Sequence, residues 1–268
     1  MSRVIAVSNQ KGGVGKTTTA VNLAASLGAL EKRVLLIDMD PQANASMGVG
    51  VVEMQDHDIV EVLAWAQESS TLQLEEVQKV IIQTEIPYLQ ILPSSSSLAE
   101  LEVQLTVDPS TESRLRLKKV TELLRHHYDF IIIDSPPSLS LLTINVLCAA
   151  DSVIIPIQCE FYALQGVADL LNTIRKIQNS LNPNLEIEGA LLTMYDSRLS
   201  HSRQVVEEVR REFSERLFKT IIPRNVRLSE APSFAKPVIL YSVQSTGAQS
   251  YIDLAQELLP LVAERVRS

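Results

Sequence analysis

Short runs of consecutive β-branched and aliphatic residues alternate along the chain with longer stretches in which apolar positions recur at helical spacing. The runs are RVIAVS from Arg3, RVLLID ending at Asp38, LQIL at Leu89, DFIIID ending at Asp134, SVIIPI from Ser152 and IEGALLTM ending at Met194. Unbroken apolar runs of this length are what a parallel sheet covered on both faces requires, because each strand buries both of its sides. Helical spacing predicts helices over Lys16–Leu30, Ile59–Gln67, Glu112–His126, Leu164–Gln178, Ser202–Ser214 and Ala248–Val266, with Pro260 expected to kink or interrupt the last. The expected architecture is α/β: a doubly wound, mostly parallel sheet with helices on both faces, formed by residues 1–268 as a single domain. The serine-rich stretch Pro93–Ser97 is expected to be a loop that leads from a strand end into a helix.

Ligands of such sheets bind at the carboxyl ends of the strands, and the chemistry-bearing residues fall there. The first run leads into SNQKGGVGKTTTA, Ser8 to Ala20. Glycines let the backbone N–H groups of a loop converge on phosphate oxygens, and the following helix N-terminus adds its positive dipole end. Gly12, Gly13, Val14, Gly15, Lys16, Thr17 and Thr18 are the phosphate-binding candidates. Lys16 is placed to reach the β- and γ-phosphates of ATP, and Thr17 to offer a hydroxyl to Mg²⁺. The ordinary G-x-x-x-x-G-K-[ST] motif has glycine where this chain has Gln10, and a second lysine, Lys11, follows at once. Three aspartates stand at strand ends behind the loop: Asp38 and Asp40 in LLIDMDPQAN, and Asp134 in FIIIDSPPS.

The loop K-G-G-x-G-K-T, Lys11 to Thr17, resembles the deviant Walker A motif of the ParA/MinD ATPases. Six ordered blocks, from QKGGVGKTTTAVNLAASL to IIPRNVRLSEAPSFAKPVILY, are similar to the chromosomal ParA group within that family. The resemblance implies an ATPase that works with Mg²⁺ and forms a homodimer when ATP is bound. Lys11 then reaches the nucleotide held by the other subunit, as an arginine finger does. By the same resemblance Asp40 orients the attacking water, Asp38 lies beside the metal shell and Asp134 holds the metal through a coordinated water. Pro223, Arg224 and Asn225 contact adenine, with Thr193 and Met194 beside them. Arg198 and Arg227 match positions that the family uses to bind double-stranded DNA without sequence preference, and Arg203, Lys219 and Lys236 are further candidates. A ParB-like centromere-binding protein is the implied partner.

Composition limits the alternatives. With 46% hydrophobic and 21% charged residues the chain is globular rather than disordered. The net charge of −8 argues against a uniformly basic nucleic-acid coat, but it is uneven. Tyr195 to Lys236 carries nine Lys/Arg against six Asp/Glu, or +3, which leaves 15 against 26, or −11, elsewhere. A local basic face on an acidic protein is therefore available. Met1, Ser2 and Arg3 lead straight into the first run without a signal core, and no apolar run is long enough to span a bilayer, so a cytoplasmic, nucleoid-associated location is expected. Cys148 and Cys159 are expected to pack as small apolar residues, since the alternative, ligation of a metal cluster shared across a dimer, needs two accessible thiolates. Only eight residues precede Asn9, too few for an added helix-turn-helix module. The last segment contains Asp253, Glu257, Glu264 and a proline, a poor match to a Lys/Arg-rich membrane helix. No stable membrane association is expected, and a MinD-like membrane-recruited ATPase is the alternative reading.

Overall fold

The computed structural model describes residues 2–53, 55–67, 72–107, 110–160 and 165–265. Seven strands, β1 (Arg3–Val7), β2 (Val34–Asp38), β3 (Ile82–Gln83), β4 (Leu89–Leu92), β5 (Phe130–Asp134), β6 (Ser152–Gln158) and β7 (Glu186–Thr193), form one sheet in the order β3-β4-β2-β5-β1-β6-β7. Every pairing is parallel except that of the two-residue edge strand β3, which runs antiparallel to β4. All six expected runs are strands. The seventh, β3, is too short to carry a periodic signal.

The helices are α1 (Lys16–Ala29), α2 (Asn44–Gly48), α3 (Ile59–Trp65), α4 (Leu74–Val80), α5 (Leu98–Val107), α6 (Arg116–Leu124), α7 (Leu141–Ala149), α8 (Gln165–Gln178), α9 (Ser200–Phe213), α10 (Val226–Glu230), α11 (Val238–Tyr241) and α12 (Thr246–Arg265). The expected span Glu112–His126 divides into a 3₁₀ turn, α6 and a second 3₁₀ turn. The expected starting residue of α8, Leu164, and the expected end of α12, Val266, lie outside the described residues. Pro260 does not interrupt α12, which is continuous through it.

Alternation along the strands builds two cores. Val4, Ala6, Leu35, Ile37, Ile131 and Ile133 face a cluster closed by residues of α3 and α5 to α9. Ile5, Val7, Val34, Leu36, Phe130 and Ile132 face a second cluster closed by α1 and α12. Each strand but the edge strand β3 thus buries both sides, the doubly wound arrangement that an unbroken apolar run demands. Cys148 and Cys159 are buried, and burial pushes their thiols up to about 11 and about 12, so they serve as packing residues. Among the described residues no helix is long and apolar enough to cross a membrane.

Candidate nucleotide site

The carboxyl ends of β1, β2, β5 and β7 meet in one crevice. Register places Val7 beside Asp134 and Asp134 beside Asp38, so two of the three aspartates are neighbours on adjacent strands. The loop after β1 is fastened at both ends. Asn9 donates through Nδ2 to the Pro156 carbonyl at 2.7 Å and accepts from the Lys11 amide at 3.0 Å. The Thr193 hydroxyl donates to the Val14 carbonyl at 2.8 Å. Gly13 and Gly15 have φ of 75° and 91°, the left-handed region that side chains strain to adopt. Gly15 is the N-cap of α1, where no side chain caps the helix and no acidic residue lies in the first turn. The free N–H groups of that turn are left for an anion.

Lys16 is buried, and its ammonium donates to the Lys11 carbonyl at 3.0 Å. Burial lowers its pKa, against the pull of Asp134 and Asp40 in the opposite direction. Lys11 is half-buried, and among the described residues its own ammonium has no hydrogen-bond or ion-pair partner. The two lysines of the loop therefore differ: one is folded into the cradle, the other is uncommitted.

The aspartates differ as well. Asp38 is fully buried and its acceptors are occupied: Oδ1 takes the Asp40 amide at 3.1 Å, and Oδ2 takes the Ser46 amide at 2.8 Å and the Ser46 hydroxyl at 2.7 Å. Its pKa is raised by burial against these bonds. Asp134 is equally buried, and neither of its oxygens completes a hydrogen bond among the described residues. Burial first, then the charge of Asp38, hold its pKa well above the usual carboxylate range, with Thr17 and Lys16 opposing. A buried carboxylate with both oxygens unsatisfied beside a threonine hydroxyl is an all-oxygen donor set of the kind a hydrated Mg²⁺ takes. The residues present fit that ion.

This geometry carries a stability consequence. Because the folded pKa of Asp134 lies above its unfolded value, the native state binds more protons, and ligand-free stability falls as pH rises through the raised pKa. Asp134→Asn is expected to raise the melting temperature of the nucleotide-free protein at neutral pH by roughly 2–4 °C and to flatten its pH dependence. A melting series over pH that shows a lower temperature for the variant would contradict this.

Beside the loop a cavity of about 270 Å³ is lined by Gly15, Thr18, Thr193, Met194, Pro223, Arg224 and Asn225. All five residues expected to hold the base are gathered there. Asn225 also caps α10 by accepting the Arg227 amide at 2.9 Å, and its Nδ2 donates to Thr246 Oγ1 at 2.7 Å. Leu228 and Tyr251 also line it. No sequence pattern marks either of them, since Tyr251 reaches the site only because its hydroxyl and that of Thr19 pair at 3.2 Å across α1 and α12. Asn9 and Ser46 carry no signal of their own either, although Asn9 stands inside the glycine-rich loop segment and Ser46 is the last residue of the block VLLIDMDPQANAS.

Three of the five basic candidates sit in ion pairs with acidic neighbours. Arg198 pairs with Asp196 at 2.6 Å, Arg227 with Glu230 at 2.7 Å and Lys236 with Glu85 at 3.2 Å. Arg203 donates to the Ser197 carbonyl near Arg198. Lys219 stands apart, on an exposed turn whose amide is held by Glu257 of α12. Exposed pairs of this kind are weak and exchange readily for bonds to phosphate.

An AAA domain family model matches residues 2–187. The chain is 51% identical to the chromosome partitioning protein ParA of Myxococcus xanthus over 97% of its length and 88% of that protein's. It is 50% identical to the sporulation initiation inhibitor protein Soj of Bacillus subtilis, over 96% of this chain and 98% of the other. The chain belongs to the ParA family. Among solved structures, cobyrinic acid a,c-diamide synthase from Mycobacterium smegmatis, with ADP and magnesium bound, superposes with a TM-score of 0.80 at 36% identity, covering 97% of this chain and 94% of that one. ATP and Mg²⁺ are the cofactors that this ParA-family site takes.

Proposed function

We propose that the chain, acting as one unit, is an ATP-driven DNA-partitioning switch in the cytoplasm, working on nucleoid DNA. The observation that carries this reading is the uncommitted ammonium of Lys11 beside a cradle already furnished with Lys16. A second cation at the rim of a phosphate loop has a use when a second nucleotide faces it, which makes dimerisation depend on ATP. The name of the Myxococcus xanthus relative, a chromosome partitioning protein half identical over nearly the full chain, favours partitioning over the synthase chemistry named for the solved structure.

ATP enters with its base in the cavity beside Thr193 and Asn225 and its phosphates on the loop, where Lys16 turns from the Lys11 carbonyl to the phosphates. Thr17 and Asp134 would hold Mg²⁺, with Asp38 behind them, and the ion would neutralise charge on the β- and γ-phosphates there. Lys11 of each subunit completes the other's site. The two-fold dimer doubles a basic surface that includes Arg198 and Arg227, with Arg203, Lys219 and Lys236 as outlying candidates, and binds double-stranded DNA through phosphates alone. Asp40 orients the attacking water. Hydrolysis, accelerated by a ParB-like partner, removes the hold on the γ-phosphate and dissolves the dimer, and DNA is released.

The test is DNA binding with ATP, ADP or no nucleotide across a salt series, beside sedimentation with anionic liposomes. Binding that needs ATP and weakens with salt supports the reading; liposome binding without DNA binding overturns it in favour of a membrane-recruited ATPase. Arg227→Glu is expected to weaken DNA binding and to lower the slope of log affinity against log salt by about 0.9 for each phosphate that the dimer no longer neutralises, with ATP-dependent dimerisation intact. Equal loss of dimerisation would move Arg227 from the DNA face to the fold or the interface.

A further inference from the structure

Ser46 stands eight residues beyond Asp38 on the short helix α2, almost wholly removed from solvent. Its amide and hydroxyl both donate to Asp38 Oδ2, at 2.8 and 2.7 Å. The same hydroxyl accepts the Ser94 amide at 3.1 Å, which ties it to the loop after β4. Its carbonyl accepts the Val51 amide at 3.0 Å, closing the turn behind α2. The other oxygen of Asp38 accepts the Asp40 amide at 3.1 Å.

These bonds make a chain that runs from the Ser94 amide through the Ser46 hydroxyl and the Asp38 carboxylate to the backbone of Asp40. A hydroxyl that both donates and accepts fixes its own rotamer, and a carboxylate gripped on one oxygen by two donors from one residue cannot swing. We propose that Ser46 is a positioning residue for ATP hydrolysis: it locks the Asp38 carboxylate, and Asp38 in turn holds the Asp40 backbone so that the Asp40 side chain addresses the attacking water. The Ser46 hydroxyl bonds to Asp38 and Ser94, not to the phosphate loop or the base cavity. Its effect therefore falls on the chemical step and not on binding.

The inference rests on the proposed ATPase reading, and one set of assays separates the two. Steady-state phosphate release, ADP affinity and thermal melting are measured for the full chain, Ser46→Ala and Ser46→Thr. Ser46→Ala is expected to lower kcat by roughly tenfold, the size typical of residues that orient a reacting group through another, while KM for ATP and the affinity for ADP change by less than about twofold. Ser46→Thr, which keeps the hydroxyl, is expected to restore most of kcat. Absence of turnover in the parent chain would defeat the ATPase reading. A parent that turns over beside a Ser46→Ala variant of equal kcat would overturn the role of Ser46. So would a variant that raises KM and loses ADP affinity along with kcat, or one that no longer melts cooperatively, since either would make the hydroxyl part of the scaffold.

Discussion

Asp40→Ala is expected to abolish ATP turnover, lowering phosphate release by about 10²–10⁴-fold, while leaving a dimer that forms with ATP and persists. The geometry sets out why the two effects separate. Asp40 sits two residues past the end of β2, mostly buried, with its amide on Asp38 Oδ1 and its own Oδ1 accepting the Gln42 amide at 2.9 Å. One carboxylate oxygen therefore fixes the turn, and among the described residues Oδ2 makes no hydrogen bond and remains for a water. Alanine removes that acceptor without touching the loop amides, Lys16 or Thr17, the groups proposed to hold the nucleotide. It also removes a negative charge from beside Asp134 and Asp38, a repulsion that raises the pKa of both, so the folded chain is not weakened on that account. Light scattering with ATP measures the dimer and phosphate release measures turnover. Turnover at the parental rate would strip Asp40 of its role; loss of the dimer along with turnover would place Asp40 in nucleotide binding.

The contrast between Asp38 and Asp134 shows what a linear motif conveys and what it leaves out. Both are legible as strand-end aspartates because an unbroken apolar run stopping at a carboxylate is a strong pattern. Their division of labour is not, because it depends on Ser46, which folds back on a five-residue helix too short to give a periodic signal. The small helices α2, α10 and α11 are illegible for the same reason, and α7 because its run of apolar residues has no polar face to mark it. The base cavity is legible only through resemblance. Its wall combines the start of α1, the end of β7, the segment from Ile222 to Pro232 and Tyr251 of α12, whose juxtaposition is a tertiary fact. The pairing of the basic candidates is only partly legible: Asp196 and Glu230 stand close in sequence to Arg198 and Arg227, whereas the pair of Lys236 with Glu85 and the hold of Glu257 on the Lys219 amide are tertiary facts.

Lys16→Ala is expected to weaken ATP and ADP binding by at least about thirtyfold and to remove turnover below detection, the loss that follows when one member of a buried charge pair is deleted. In the nucleotide-free protein Lys16 is the cation on which Asp134 and Asp40 act, and its ammonium is parked on the Lys11 carbonyl at 3.0 Å. That bond is to a neutral oxygen. A phosphate is a stronger partner for an ammonium already stripped of water, since it adds the attraction of opposite charges to the hydrogen bond and the cost of burial has been met in folding. Binding is thus favoured by an exchange in which Lys16 leaves a carbonyl for a phosphate and the carbonyl of Lys11 is freed. Burial outweighs the pull of Asp134 and Asp40 on this ammonium, so on electrostatic grounds the apo variant is expected to melt at or above the parent, the same sign as Asp134→Asn. Fluorescent-nucleotide titration and thermal melting give the two readouts. Retained nucleotide affinity would mean that the loop amides alone carry the phosphates, and a lower melting temperature would mean that the carboxylates return more to Lys16 than its burial costs.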